Sequence, residues 1–148
     1  MKTWIYPFVA LACIAAGCDG PDELGRRAIS GTVTLDGKAL ASGSVTYVPT
    51  ESGPAVGATI EDGRFSIDRE SGPIPGAYRV EILAIRPTGR TIADPEGPKG
   101  STVEERKNIV PDRYGSQSTL TSDVTPTGPN TFEYKLDSRP DPAARRRR

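Results

Sequence analysis

Two cysteine thiols are the most nucleophilic groups in the sequence, and both lie within the first 18 residues, at Cys13 and Cys18. A thiol can be alkylated, ligate a metal or form a disulfide, and its neighbours decide which of these is available. Cys18 ends the small-residue run Ala15-Ala16-Gly17, and an abruptly polar segment begins at Asp19. No cysteine follows Cys18 in the sequence, so a domain that starts there has no disulfide partner. The abrupt polarity change after Cys18 favours Cys18 over Cys13 as the thiol that is modified.

The residues before Cys18 have the composition of an export signal. Lys2 supplies a positive charge, and residues 4–16 form an apolar stretch of the length expected for the core of a signal peptide. The stretch is shorter than the ~20 apolar residues that a transmembrane helix needs, and Pro7 interrupts it. We expect residues 1–17 to be a signal peptide.

The motif Ala15-Ala16-Gly17-Cys18 resembles the lipobox of bacterial lipoproteins, in which the cysteine thiol is alkylated with diacylglycerol before cleavage on its N-terminal side. The leucine that usually stands three positions before the cysteine is Ala15 here. The resemblance implies lipidation of Cys18, export, and anchoring to a membrane of the bacterial cell envelope, on its periplasmic or cell-surface side. Two or more acyl chains anchor a protein stably. The alternatives are an ordinary secretory signal, cut at a small-residue site such as Ala10-Leu11-Ala12, and a plain membrane anchor.

The rest of the chain offers little catalytic chemistry. It contains no histidine, which removes the commonest general base and the commonest transition-metal ligand. Glu61 and Asp62 are adjacent, and adjacent strand residues point to opposite faces of a sheet. Residues 97–102 (GPKGST) lack the spacing of a phosphate-binding loop. We therefore expect no enzymatic activity and no cofactor.

A cluster of acidic residues lies between positions 94 and 112, but its spacing matches no known cation-binding loop. The acidic residues are Asp94, Glu96, Glu104, Glu105 and Asp112. We expect a solvated loop there and no metal.

The charge distribution argues against a nucleic-acid partner. Lys2 and the terminal Arg145–Arg148 are five of the 19 basic residues, which leaves 14 basic against 19 acidic residues over positions 18–144, a net charge of −5. A nucleic-acid-binding domain needs a basic surface. We expect residues 138–148 to be a disordered basic tail. Its arginines are either solvated or attach weakly, with strong screening by salt, to anionic lipid, a cell-wall polymer or an acidic partner.

Alternating apolar residues predict seven short strands within residues 28–137, after a flexible tether over residues 18–27. The strands are AISGTVTL, SVTYVP, AVGATIE, RFSID, AYRVEILAIR, STLTSDV and TFEYKL. Asp36-Gly37 and Asp62-Gly63 are turn pairs typical of hairpins. In the fifth strand, Leu83 and Ile85 predict an end that is covered on both faces. The pattern is that of an all-β sandwich.

Residues 87–118 break this spacing as one long irregular insertion between the fifth and sixth strands. Thr102 and Glu105 have capping-box spacing, which predicts one or two helical turns over residues 103–108. Tyr114 lies in the insertion, where a ligand could contact it. The strand aromatics, in contrast, fall at core-facing positions: Tyr47, Phe65, Tyr78, Phe132 and Tyr134.

Several turn and core motifs recur together in this chain. G-x-V-x-L-D-G-K covers Gly31–Lys38, V-x-Y-x-P covers Val45–Pro49, D-G-x-F covers Asp62–Phe65, and P-G-x-Y-x-V covers Pro75–Val80. They resemble the transthyretin-like, carboxypeptidase-regulatory-like β-sandwich domains of bacterial lipoproteins, and the likeness extends over residues 28–137. It implies a seven-stranded Greek-key sandwich. These motifs concern turns and packing, and they carry no chemistry.

Two functions stay open. The first is a lipid-anchored cell-envelope module with a structural or protein-interaction role and an envelope protein as its partner. The alternative is a periplasmic or extracellular binding module for a polysaccharide or small ligand, with residues 87–118 as its rim or lid. Such a module needs a concave site with exposed aromatics or converging polar groups. If Tyr114 and the insertion lie flat against the sandwich, the alternative loses its best candidate residue.

Overall fold

A computed structural model describes residues 24–139 and shows an all-β chain of ten strands. The predicted signal peptide, Cys18, the first part of the tether and Arg145–Arg148 lie outside the described residues. The strands are β1 (Ile29–Leu35), β2 (Lys38–Ala39), β3 (Ser42–Pro49), β4 (Val56–Glu61), β5 (Arg64–Ile67), β6 (Gly76–Leu83), β7 (Ile85–Ala93), β8 (Thr102–Asn108), β9 (Thr121–Val124) and β10 (Asn130–Leu136). Short 3₁₀ turns cover Arg69–Ser71 and Asp112–Tyr114. Residues 24–139 contain no helix that could cross a bilayer.

Eight strands form one curled sheet in the order β10-β1-β5-β4-β3-β6-β9, with β2 paired to β1. Neighbouring strands are antiparallel except β1 and β10, which run parallel with Ile29 opposite Asn130. The sheet curls so that its two edge strands, β10 and β9, meet: Ser122 on β9 and Tyr134 on β10 share a hydrogen bond of 2.7 Å. The remaining strands, β7 and β8, form a separate two-stranded sheet.

The core lies inside this curl, and the predicted alternation of buried and exposed residues along β1 is confirmed. Ile29 and Val33 are buried, whereas Ser30 and Thr32 are exposed. Gly31 also faces inward, where a Cβ atom would lie 2.4 Å from the carbonyl oxygen of Phe132. Only glycine fits there, since the neighbouring backbone cannot move away cheaply.

Both predicted hairpin turns are confirmed. Asp36 and Gly37 have φ values of 52° and 77°, and Asp62 and Gly63 have φ values of 47° and 74°. Two consecutive positive φ values define the type I′ turn, whose twist matches that of the flanking strands. The seven predicted strands correspond to β1, β3, β4, β5, β6, β9 and β10.

The predicted fifth strand is not continuous. β6 ends at Leu83 and β7 begins at Ile85, because the Ala84 N–H donates to the Asn108 side chain (3.0 Å) instead of to a neighbouring strand. Leu83 and Ile85 are 41% and 56% exposed, so the prediction that this end is covered on both faces is wrong.

The prediction of an irregular insertion over residues 87–118, with helical turns over residues 103–108, is also wrong. β7 and β8 form a hairpin within it, with Ile92 directly opposite Val103. A capping box contributes only about 1 kcal/mol to a helix. Pairing with β7 instead gives six residues of β8 a cross-strand partner.

The fold extends beyond both predicted boundaries. The Arg27 N–H donates to the Pro73 carbonyl (2.9 Å), so the end of the predicted tether packs on the domain. The Ser138 N–H donates to Asp36 Oδ1 (2.9 Å) at the other end of the chain. The first residues of the predicted tail are therefore ordered.

Candidate functional site

The strand aromatics form the centre of the core, as predicted. The Tyr47 ring lies 6.2 Å from Phe65, 6.1 Å from Tyr78 and 5.9 Å from Phe132, measured between ring centroids. Tyr47 is completely buried and Tyr134 nearly so. These rings stabilise the sheet, and all but the partly buried Phe132 are too deeply buried for a sugar to stack on them.

A chain of hydroxyl groups runs through this aromatic core. Tyr47 and Tyr134 share a hydrogen bond of 2.8 Å, and Tyr134 shares a second one with Ser122. Burial raises the pKa of both tyrosines above the usual value near 10, so the hydroxyls stay neutral. The hydroxyl chain links β3, β10 and β9 across the curl of the sheet.

Tyr114 lies against the main sheet and does not stand out from it. Its ring packs on the core, and its hydroxyl accepts a hydrogen bond from the Asp137 N–H (3.3 Å). The Arg113 guanidinium lies 4.8 Å from the Tyr114 ring centroid and donates to the Arg139 carbonyl (2.6 Å). Arg113 and Tyr114 are thereby fixed to the end of β10. The binding-module hypothesis therefore loses its best candidate residue.

A carboxylate at the end of β10 is held by the same group of contacts. Hydrogen bonds from Arg139 lower the pKa of Asp137 to about 2, and Arg113 adds a favourable charge nearby. Asp36 also has a lowered pKa, because Ser138 donates to its side chain. These interactions hold the chain end against the β1–β2 turn, which indicates a structural role.

The most exposed element is the β7–β8 hairpin, residues 85–108, which we call the arm. None of the residues in its two strands is buried. The strand register shifts between Pro87 and Thr91, where Gly89 has a φ of 74°. The arm therefore stands away from the main sheet and is stabilised by its own cross-strand pairs.

The base of the arm is fixed by an asparagine. Asn108 Oδ1 accepts hydrogen bonds from the Ala84 N–H (3.0 Å) and the Val110 N–H (3.2 Å). The Ile109 N–H donates to the Ala84 carbonyl (2.9 Å), and Arg86 donates to the Ser42 hydroxyl on β3 (2.6 Å). These contacts hold both strands of the arm where they leave the main sheet. Sequence analysis did not identify Asn108, because its principal partner, Ala84, lies 24 positions away.

Exposed large apolar side chains fall into two groups in the described part of the chain. Five lie on the arm or beside its base: Leu83, Ile85, Ile92, Val103 and Ile109. The other two, Leu24 and Ile74, lie at the opposite end of the main sheet. Scattered exposed apolar residues are normal on a protein surface, whereas clustered ones often mark an interaction site.

The charges on the arm are only partly paired. Glu105 accepts a hydrogen bond from Thr88 (2.7 Å) and lies 3.6 Å from the Arg90 guanidinium. Lys107 is directly opposite Arg86, and like charges in cross-strand register are unfavourable. Arg86 and Lys107 therefore form a basic site near the base of the arm.

The structure does not bring the acidic residues of the insertion together. Asp94 and Glu96 lie at the tip of the arm, Glu104 and Glu105 are consecutive on β8, and Asp112 lies in a 3₁₀ turn beyond it. Between residues 24 and 139, no three metal-ligating side chains are close enough to hold an ion.

A second surface feature is an open groove of ≈640 Å³ on the outer face of the main sheet. Hydroxyl and charged side chains line it: Ser30, Thr32, Thr59, Glu61, Arg64, Ser66 and Thr131. Its one aromatic lining residue, Phe65, is only 5% exposed. No residue of the predicted rim, 87–118, contributes to this groove. We call it the hydroxyl groove.

Comparisons with known proteins do not assign a family. No protein-family model matches the chain, and no curated protein shows significant similarity to it. Among solved structures, the chain is similar to a 9R-lipoxygenase from Cyanothece PCC8801, at 13% identity and a TM-score of 0.33. The match covers 76% of this chain and 16% of the lipoxygenase. A likeness this weak says nothing about fold or activity.

Proposed function

We propose that the protein is a lipid-anchored module of the cell envelope that contacts a protein partner through its arm. The observation that carries this proposal is the position of the five exposed apolar residues. The arm follows the last residue of β6, Leu83, whereas residues 24–27 pack on Pro73, just before β6 begins. The eight residues of β6 span about 26 Å. An anchor at the N-terminus therefore leaves the arm facing away from the membrane.

The proposed architecture of the main sheet is a Greek-key, transthyretin-like sandwich. Three features support it: the all-β chain, the curl that brings β9 to β10, and the type I′ turns at the two Asp-Gly pairs of the family-like motifs. A sandwich of this kind is a scaffold, and its function lies in what it presents at its ends.

The chemistry of the arm favours a protein partner. Its exposed apolar side chains are aliphatic, whereas a polysaccharide surface usually needs exposed aromatic rings. β7 and β8 pair with each other alone within the described residues, so each has one edge open to strand addition. The basic site formed by Arg86 and Lys107 gives an acidic partner segment a point of attraction.

The hydroxyl groove supports a second candidate function, the binding of a polysaccharide. Five hydroxyl side chains with Glu61 and Arg64 offer hydrogen bonds to sugar hydroxyls. The groove is open and lacks an exposed ring, which makes this candidate weaker than the arm.

The anchor is tested by the intact mass of protein from the membrane fraction, for the native chain and for Cys18→Ala. We expect a mass that begins at Cys18 and includes acyl chains, and we expect Cys18→Ala to lose both the modification and the membrane association. An unmodified mass from a cut at another position would contradict the anchor and leave a secreted protein.

The arm is tested by photo-crosslinking in intact cells. A photoreactive amino acid replaces Val103 in one variant and Thr32, in the hydroxyl groove, in the matched control. We expect a protease-sensitive crosslinked product with position 103 only. A product at position 32 alone, particularly one degraded by glycosidases, would favour the polysaccharide function instead.

A further inference from the structure

The two exposed apolar residues that are not on the arm share one groove. Leu24 is 61% exposed and Ile74 is 38% exposed, and both line a cavity of ≈260 Å³. The other apolar walls are Pro54, Val56, Pro73 and Tyr78. Polar side chains form only its margin, chiefly Arg26 and Glu70. We call this cavity the end groove.

Hydrogen bonds between its walls preform the end groove. The Tyr78 hydroxyl donates to the Ile74 carbonyl (2.9 Å), and the Arg26 guanidinium donates to the Glu70 carbonyl (2.8 Å). Gly72 lies so close to the Arg27 backbone that a Cβ atom would be 2.0 Å from its carbonyl oxygen. The segment that carries Leu24 is thus held beside the loop that carries Ile74.

The position of the end groove relative to Cys18 suggests what covers it. Cys18 precedes Leu24 by six residues, and an extended chain advances at most about 3.6 Å per residue. An acyl group on Cys18 would therefore hold the end groove within roughly 20 Å of the lipid. An apolar surface tied this closely to a bilayer meets lipid far more often than any soluble partner.

We propose that the end groove rests on the bilayer, with Leu24 and Ile74 at the boundary between headgroups and acyl chains; this inference relies on the proposed acylation of Cys18. In the sequence around the end groove, Arg26, Arg27 and Arg69 stand against Asp22, Glu23, Asp68 and Glu70, so there is no net positive charge to attract anionic lipid. Apolar contact therefore dominates, and we expect little dependence on salt or on anionic lipid. The contact orients the arm away from the membrane.

The test is a depth measurement on the acylated full chain in phosphatidylcholine vesicles that contain nitroxide-labelled phosphatidylcholine. An environment-sensitive fluorophore is attached through Ile74→Cys, or through Lys38→Cys at the opposite end of β1 as the matched control. We expect blue-shifted emission at position 74 and nitroxide quenching about threefold or more above that at position 38. Equal quenching at both positions, with the protein still bound to vesicles, would overturn the inference.

A second variant separates lipid contact from the anchor itself. With the label at position 74, Leu24→Glu should reduce the quenching at least about twofold without releasing the protein, whereas Leu24→Ile should not change it. Unchanged quenching in Leu24→Glu would contradict the proposed contact. If the full chain with its native Leu24 does not bind the vesicles and its mass shows no acyl group on Cys18, the proposed acylation has failed, and the inference fails with it for that distinct reason.

Discussion

The curled main sheet and the arm are built from the same kind of strand, yet their side chains have opposite surroundings. Tyr47 on β3 is completely buried against three aromatic rings, whereas Ile92 on β7 is 38% exposed and lies opposite Val103. Apolar burial is the main source of folding free energy. The difference therefore implies that stability resides in the main sheet, and that the arm is free to serve recognition.

The largest effect should come from removing the central ring of the core. Tyr47→Ala deletes a side chain that contacts Phe65, Tyr78 and Phe132, and we expect it to lower the free energy of unfolding by about 4 kcal/mol. Ile92→Ala is the control on the arm, with an expected loss below about 0.5 kcal/mol. Denaturant unfolding of both variants measures the difference. Similar losses would show that the arm belongs to the cooperative core.

Two glycines with the same φ, one in the main sheet and one in the arm, test whether a local change affects global stability in both regions. Gly63 in the β4–β5 turn and Gly89 in the arm both have a φ of 74°. A Cβ atom at Gly63 would lie 2.8 Å from that of Ala39, whereas at Gly89 it would meet nothing within 4 Å. We expect Gly63→Ala to lower the free energy of unfolding by about 2–3 kcal/mol, because the strain of a positive φ adds to the overlap of the new Cβ atom with Ala39.

Gly89→Ala introduces backbone strain without any steric overlap, and local fraying of the arm can relieve that strain. We expect the global free energy of unfolding to change by less than about 0.5 kcal/mol, with faster amide exchange confined to residues 85–108. If both glycine variants lowered global stability equally, the arm and the main sheet would unfold as one unit.

The same contrast explains which parts of the fold could be predicted from sequence. β1 alternates because one of its faces is buried, and the Asp-Gly turns have a known backbone geometry, so both were predictable. β7 and β8 are exposed on both faces, which leaves no alternation to detect. The pairing of Asn108 with Ala84 is a tertiary contact across the arm. No local pattern indicates such a contact. The contact ends β6 at Leu83, although the alternation of apolar residues predicts one continuous strand there.

The hydroxyl chain of the core should contribute less than the central ring. Tyr134→Phe removes the oxygen that bonds both Tyr47 and Ser122, and leaves two buried hydroxyls without this partner. We expect a loss of about 2 kcal/mol in the free energy of unfolding. Tyr114→Phe is the control, since that hydroxyl makes one longer bond to a half-buried amide, and it should cost less than about 1 kcal/mol. Equal losses would refute a special role for the hydroxyl chain.

Alkaline pH probes the same hydroxyl chain. Burial raises the pKa of Tyr47 and Tyr134, so the folded chain keeps these protons above pH 10, where the unfolded chain loses them. The folded state then binds more protons, and the free energy of unfolding falls as pH rises, by up to about 1.4 kcal/mol per pH unit for each tyrosine. Unfolding midpoints measured from pH 8 to 11 should decline from about pH 10 upward. The decline should be shallower in Tyr134→Phe.

The smallest effect on stability should accompany the largest effect on recognition. Val103→Asp places a carboxylate on the exposed face of β8, where it is solvated, so we expect the free energy of unfolding to change by less than about 0.5 kcal/mol. The same change puts a charge into the apolar pair with Ile92, and should abolish crosslinking from a photoreactive group at position 92. Val103→Ile keeps the apolar surface and should preserve it. A loss above about 2 kcal/mol in Val103→Asp would mean that the arm packs on the main sheet in solution, because only a buried site penalises a carboxylate so strongly.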